Sequence, residues 1–278
     1  MKIALLAIHP LKGGMRVKLD RSEVDGLGLK GDRTLMLVDG DGEFVTQRSL
    51  PALARLSVRL VPGGAVLSMS GEREARFDGG RMDVGVWGDR VSAAAADEET
   101  AGWLSQRFGR PLRLVRFDAT SSRRVDPDFS DDGQVGFADG YPILVTTTGS
   151  LRSLNAEIEH SGSQPVPMER FRPNIVIDCD EPWDEDRWRL LRVGDVLLDF
   201  VKPCSRCTVT TVDQQLGTVT GDEPLSTLKR IRMSADRRVP GVLFGWNAVP
   251  RNAGSVRVGD PVSVVRSGEA WPVRPADR

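Results

Sequence analysis

Short apolar runs rich in β-branched residues recur along this chain, and glycine, aspartate and proline cut them before they reach helical length. Residues 34–38 and 43–46 flank Asp39-Gly40-Asp41-Gly42. Residues 56–61 and 65–69 flank Pro62-Gly63-Gly64, and residues 82–87 and 90–92 flank Gly88-Asp89. Each reads as a hairpin, because glycine reaches positive φ without a steric penalty. With a first strand at residues 2–8, this spacing predicts a barrel or sandwich over the N-terminal third.

The pattern changes near residue 97. Asp97-Glu98-Glu99 predicts a helix N-terminus, where carboxylates suit the positive end of the dipole, and Gly109 with Pro111 predicts its stop. A strand at 112–117 and a polar loop over 118–140 follow. The Asp126–Gly133 part of that loop lacks the carboxylate spacing of a calcium loop and reads as solvated or substrate-facing. Strand 142–147 leads to a helix near 150–160, with Leu151, Leu154 and Ile158 on one face. Strands are expected at 174–178, 196–201, 207–212, 242–246, 255–258 and 261–265, and Asp222 is expected to cap a helix ending near 231. Arg192-Val193-Gly194-Asp195 and Arg257-Val258-Gly259-Asp260 read as two hairpin turns. The expected class is mostly β with a few helices (α+β): a β-barrel-like domain over 1–97, a second domain over 98–268 and a flexible tail over 269–278.

Composition excludes several functions. The 38 basic and 39 acidic residues of the 278-residue chain nearly cancel, so no whole-chain basic field holds nucleic acid or an anionic membrane. The early apolar run Ile3–Ile8 is too short for a signal-peptide core or a bilayer span, which predicts a cytoplasmic protein. The three cysteines, Cys179, Cys204 and Cys207, are too few for a disulfide scaffold or an all-cysteine iron–sulfur cluster. With only His9 and His160 beside them, a metal must rest on few protein ligands or on a cofactor that brings its own.

Three segments carry candidate chemistry. The first is Cys204-Ser205-Arg206-Cys207 running into Thr208-Val209-Thr210-Thr211-Val212-Asp213. It reads as half a zinc site needing Cys179 and His160, as a redox pair, as one functional thiolate favoured by the Arg206 charge, or as two small buried hydrophobes. The second is Arg170-Phe171-Arg172-Pro173-Asn174, where guanidinium forks suit phosphate or carboxylate. The third is Lys12-Gly13-Gly14 after the first strand, where backbone amides and a cation suit an anion; it is not a Walker loop. Arg33 in Gly31-Asp32-Arg33 and Arg48 in Thr46-Gln47-Arg48 add strand-edge cations.

Taken in order, these segments resemble the MOSC family, in the branch with an extra N-terminal β-barrel domain that includes mitochondrial amidoxime-reducing components and bacterial relatives. The resemblance spans nearly the whole chain. It runs through His9-Pro10-Leu11-Lys12, Gly31-Asp32-Arg33, Val45-Thr46-Gln47-Arg48, Tyr141-Pro142-Ile143-Leu144, Ser150–Asn155, Phe171–Val176, Cys204–Cys207, Glu223–Leu228, Leu243-Phe244-Gly245 and Val258–Val262. Cys-Ser-Arg-Cys leading into Thr-Thr-Val-Asp is its most specific part.

The resemblance implies a β-barrel N-terminal domain over 1–97, a MOSC molybdenum-cofactor domain over 98–268, and a molybdenum cofactor, molybdopterin with Mo. It implies Cys207 as the metal ligand, a soft thiolate suited to a metal already held by dithiolene sulfurs. Lys12, Arg33 and Arg172 match positions that hold the phosphate and pterin, and Ser205 matches a hydrogen-bonding position. Gly140 and Tyr141 align where relatives offer hydroxyls, and Gly13 stands where they often have serine. The implied reaction is two-electron, two-proton reduction of an N-hydroxylated small molecule (amidoxime, hydroxylamine or N-hydroxylated base), with the oxygen leaving as water. Cys207 and Asp213 are the catalytic candidates, Asp213 either delivering protons or ordering a strand end; Cys204 reads as a packed or supporting thiol. Electrons are expected from a separate donor protein, a ferredoxin, haem protein or flavoprotein reductase. The competing functions are a sulfur carrier using a Cys207 persulfide and a molybdenum-cofactor carrier.

Overall fold

The computed structural model describes residues 1–274. Its framework is an eight-stranded sheet in the order Val17–Leu19, Lys2–Ile8, Ile175–Asp178, Ile143–Thr147, Val242–Pro250, Val196–Arg206, Trp188–Val193, Val262–Ser267. Ile143–Thr147 and Ile175–Asp178 pair in parallel, which requires a crossover, and helix α2 (Thr148–His160) supplies it. Thr147 caps α2 by accepting the Ser150 N–H, and Leu154 and Ile158 bury its inner face against Phe171 and Phe244.

Around this sheet lie a four-stranded sheet (Leu35–Val38, Arg113–Arg116, Asp89–Ala95, Arg81–Val86) and three five-residue strands forming the meander Ser57–Val61, Gly64–Ser68, Glu72–Arg76. The hairpins expected at Pro62-Gly63-Gly64 and Gly88-Asp89 both form. Helix α1 (Glu98–Phe108) begins and ends as its sequence dictates. Asp97 accepts the Thr100 N–H, and Gly109 closes the helix at φ +66° in the left-handed region. The fold is mostly β with three α-helices, α3 being Leu225–Ile231, and none among the described residues is long and apolar enough to cross a membrane.

The sheets do not divide at residue 97. The first strand belongs to the large sheet, hydrogen-bonded to Ile175–Asp178, while α1 and Arg113–Arg116 pack with the N-terminal sheets. A small sheet of Gly254–Arg257, Arg21–Asp25 and Gly28–Leu29 also joins the two ends of the chain. Hydrophobic cores form on both sides of this seam: one around Trp188, Phe200 and Trp246, another around Leu53, Leu67 and Leu104.

Several local expectations are corrected. The run 207–212 is not a strand: Val196–Arg206 is the strand, and Thr208–Thr211 is a 3-10 turn. Thr210 and Thr211 donate their hydroxyls to the carbonyls of Cys207 and Thr208, a local bonding mode that overrides β-branched propensity. Asp222 does not cap α3 with its side chain; Pro224 holds the cap position, and the Asp222 carbonyl accepts from Leu225 and Ser226. Of the two Arg-Val-Gly-Asp turns, only Val193–Val196 closes a hairpin. The other passes from the small sheet to the large one, and the two meet where Gly194 N–H donates to the Pro261 carbonyl. Part of the segment expected as a tail makes contacts with the rest of the chain. Trp271 packs on Trp246 at 5.8 Å between ring centroids, and Arg274 N–H donates to the Met233 carbonyl. Residues 275–278 of that expected tail lie outside the described residues.

Candidate active site

Where the N-terminal sheets meet the large sheet, the chain leaves a cavity of about 840 Å³, counting space open to solvent. Every residue expected to hold the cofactor lines it: Lys12, Gly13, Arg33, Gly140, Tyr141, Arg172, Ser205 and Cys207. They come from five separate stretches of chain, brought together because strand Lys2–Ile8 crosses into the large sheet.

Asn174, the last residue of the Arg170–Asn174 segment, is the centre of this junction. Its side-chain oxygen accepts from the Leu144 N–H at 3.0 Å and from Arg33 at 2.9 Å, and its amide donates to the Ala7 carbonyl at 3.2 Å. Arg172, just ahead of Pro173, is not extended as a residue before proline usually is, but bends into the left-handed region at φ +56°. Arg33 and Trp87, which also line the cavity, sit at φ +44° and +52°. Non-glycine residues avoid this region, so three of them on one wall mark backbone held in a costly shape by its surroundings.

The arginines are fixed from behind. Arg33 donates to Asp32, Asn174 and the Arg172 carbonyl. Burial opposes ionisation of Asp32, but Arg33 and His9 beside it hold its carboxyl at about 2. Arg172 donates to Gln214, which exchanges amide hydrogen bonds with Gln47, and Gln47 reaches the Gly13 carbonyl at 2.7 Å. Gly13 itself is at φ +79°, where an added Cβ would lie 2.7 Å from Leu53, so the departure from serine has a packing reason. Burial, and then the charge of Arg33, lowers the Arg172 pKa to about 9. Burial also lowers Lys12, against the opposing pull of Asp139.

This geometry fits a phosphate-bearing pterin. Five cations (Lys12, Arg33, Arg48, Arg172 and Arg206) face the cavity against one carboxylate, Asp139. Arg172 Nη2 and Arg206 Nε are buried with no hydrogen-bond partner, donors that an anionic ligand would satisfy. Arg206, Arg48, Gln47, Gln214 and Asn174 join the expected residues at this site, and the sequence motifs do not assign them to the cofactor.

The sulfurs separate into two roles. Cys204 and Cys207 both line the cavity and are half-buried, whereas Cys179 is buried elsewhere. Arg206 donates to Cys204 Sγ at 2.8 Å and to the Phe171 carbonyl at 2.6 Å, so Cys204 anchors the guanidinium. The backbone runs extended to Cys207, whose φ is −122° and ψ −178°. A strand rather than a helix N-terminus carries the pair, so no helix dipole favours a redox thiolate here. Among the described residues no three His, Cys, Asp or Glu side chains cluster as metal ligands, which leaves the zinc reading without support.

Two expected residues behave differently from expectation. Ser205 lines the cavity, but its hydroxyl donates to the Pro240 carbonyl at 2.7 Å, leaving only its lone pairs and backbone to a ligand. Asp213 does not line the cavity. Its carboxylate accepts the N–H groups of Gln215 and Leu216, both at 2.9 Å, and lies 3.6 Å from Arg170. Arg170 in turn donates to the carbonyls of Thr210 and Thr211, clamping the turn that follows Cys207. Asp213 thus fixes the backbone of residues 213–216 and, through Arg170, touches the turn after Cys207.

Comparison with known proteins gives a consistent picture. The MOSC N-terminal beta barrel domain matches residues 1–111, and the MOSC domain matches residues 132–263. Human mitochondrial amidoxime-reducing component 1 is 32% identical over 279 residues, covering 94% of this chain and 82% of the relative. The Xenopus laevis component 1 is 31% identical, covering 96% and 83%. Human mitochondrial amidoxime reducing component 2 is 29% identical, covering 94% and 82%.

Proposed function

Given that the chain belongs to the MOSC family, in the branch that carries the N-terminal β-barrel domain, we propose that it is a molybdenum-cofactor-dependent reductase of N-hydroxylated compounds. The observation that carries this is the coincidence of a half-buried thiol, Cys207, with five cavity-facing cations, two of which keep a buried donor unpaired. When bound, the molybdenum cofactor supplies two-electron redox chemistry that no side chain of this cavity provides.

The chain's own work is binding, orientation and charge placement. Lys12, Arg33 and Arg172 hold the phosphate and pterin, with Gly13 and Gly140 letting backbone approach closely. Cys207 is the protein's metal ligand, a single soft donor suited to a metal whose other sulfurs come from the pterin. Arg206, fixed by Cys204 and the Phe171 carbonyl, directs positive charge at the same centre. The reaction consumes two electrons and two protons per N–O bond and releases water. We propose that the electrons come from a separate ferredoxin, haem protein or flavoprotein reductase.

The test is molybdenum and pterin analysis of chain made in a cofactor-competent host, followed by benzamidoxime reduction with an artificial electron donor. The wild type is expected to carry molybdenum and to reduce benzamidoxime, and Cys207→Ser to hold less molybdenum and to lose the reduction. A wild type that holds molybdenum yet reduces nothing points to a cofactor carrier. One that holds none while transferring sulfur points to a sulfur carrier. Turnover from purified chain with NAD(P)H alone overturns the separate-donor proposal.

A further inference from the structure

The hairpin joining Arg81–Val86 to Asp89–Ala95 turns through two residues, Trp87 and Gly88, with Val86 paired to Asp89. Both turn residues have positive φ, +52° and +88°, the pattern of a type I′ turn. Glycine, asparagine and aspartate adopt this backbone readily, whereas a tryptophan there is strained. Burial does not repay the strain, because Trp87 is 40% exposed. A bulky ring held in a costly turn and left open to solvent is not explained by folding.

Trp87 lines the same cavity as Cys207. Its Nε1–H donates to Asp139 Oδ1 at 3.1 Å, which fixes the indole, and Phe44 meets the ring at 4.8 Å between centroids, tilted by 54°. Of the five cations that face the cavity only Arg48 is exposed, and its guanidinium carbon lies 4.6 Å from the Trp87 ring centroid. An indole with a guanidinium over it makes a planar, cationic shelf. Lys12, Arg33 and Arg172, the residues proposed for the phosphate and pterin, are buried or half-buried. The shelf is therefore the solvent-facing part of the lining, where an incoming molecule meets the cavity.

An indole gains from contact with another aromatic ring in a way that a short alkyl group does not reproduce. We infer that Trp87, with Arg48 over it, is a subsite for an aryl substituent of the substrate, and that it makes the chain select aryl over alkyl amidoximes. The inference rests on the reductase reading for the reacting group and adds the group attached to it.

Two substitutions separate the ring from its N–H. Trp87→Asn removes the ring and suits the turn, and Trp87→Phe keeps a ring but loses the bond to Asp139. Benzamidoxime and acetamidoxime are compared on the cofactor-loaded full chain, by calorimetric binding and by kcat/KM with an artificial electron donor. Molybdenum content, pterin content and melting temperature are measured alongside. The wild type is expected to prefer benzamidoxime by both measures. In Trp87→Asn that preference should shrink roughly tenfold, through benzamidoxime alone, and Trp87→Phe should keep most of it. Metal content, pterin content and melting temperature are expected to hold in both variants. An unchanged preference in Trp87→Asn, equal losses for both ligands, equal effects of the two substitutions, a fall in pterin content, or no benzamidoxime binding by the wild type each overturns the subsite. Wild-type chain that binds benzamidoxime through Trp87 but reduces neither compound keeps the subsite and refutes the reductase reading. Wild-type chain that reduces both with equal kcat/KM does the reverse.

Discussion

Replacing Glu185 by glutamine is expected to make this protein more stable above neutral pH and to leave it nearly unchanged in mild acid. Glu185 is 1% exposed, in the short 3-10 segment Asp184–Arg187 beneath α2. Its Oε2 accepts the hydroxyls of Ser150 at 2.8 Å and Thr147 at 3.1 Å, while its Oε1 is buried with no partner. Burial, with a smaller push from Asp186, raises the carboxyl from 4.5 to about 7, against the pull of the Ser150 and Thr147 hydroxyls. A pKa raised on folding favours the folded state while the group is protonated. That contribution is complete below about pH 4.5 and is lost as pH rises through 7. At about 1.4 kcal/mol per unit, the change between about pH 5 and pH 8 is roughly 2–3 kcal/mol. Glutamine keeps the carbonyl acceptor and never ionises. Urea denaturation of both proteins across this range should show their stability difference widening by that amount toward high pH. Other titrating groups are common to both proteins and cancel. A difference that stays flat with pH, or a variant weaker than wild type at about pH 8, refutes the reasoning.

Three further outcomes follow from the same geometry. Arg170→Met strands the Thr210 and Thr211 carbonyls and the Asp213 carboxylate, so it should cost about 3 kcal/mol or more in chemical denaturation and lower the bound molybdenum through the loosened turn after Cys207. Gly245→Ala places a Cβ 2.7 Å from the Val145 carbonyl oxygen at φ +75°, and calorimetry should show a loss of roughly 2 kcal/mol or more. Arg172→Lys keeps the charge but not the planar fork. Pterin content of the purified protein should fall, and retention of full content would remove Arg172 from the cofactor set.

Much of the frame was legible because local chemistry and tertiary structure agree. The Asp97 carboxylate opens α1 and the left-handed backbone of Gly109 ends it, and the glycine turns at 62–64 and 88–89 close their hairpins. The failures share a cause. Thr208–Thr211 is β-branched yet turns, because threonine hydroxyls and the distant Arg170 satisfy its carbonyls, and only the fold brings Arg170 there. The domain division was blurred for a similar reason, since pairing of Lys2–Ile8 with Ile175–Asp178 is a contact across 170 residues of chain that no local pattern encodes. The site shows the same split. Cys207, Lys12, Arg33 and Arg172 carry recognisable motifs, whereas Asn174, Gln47 and Gln214 matter only through the partners that folding gives them.

Molybdenum K-edge absorption spectroscopy on wild-type and Cys207→Ser chain, each purified from cofactor-making cells and matched for pterin, tests the central assignment most directly. The wild type should show a sulfur shell with one scatterer more than the variant, the thiolate of Cys207. Identical sulfur shells in the two proteins, or wild-type chain without molybdenum, would contradict it.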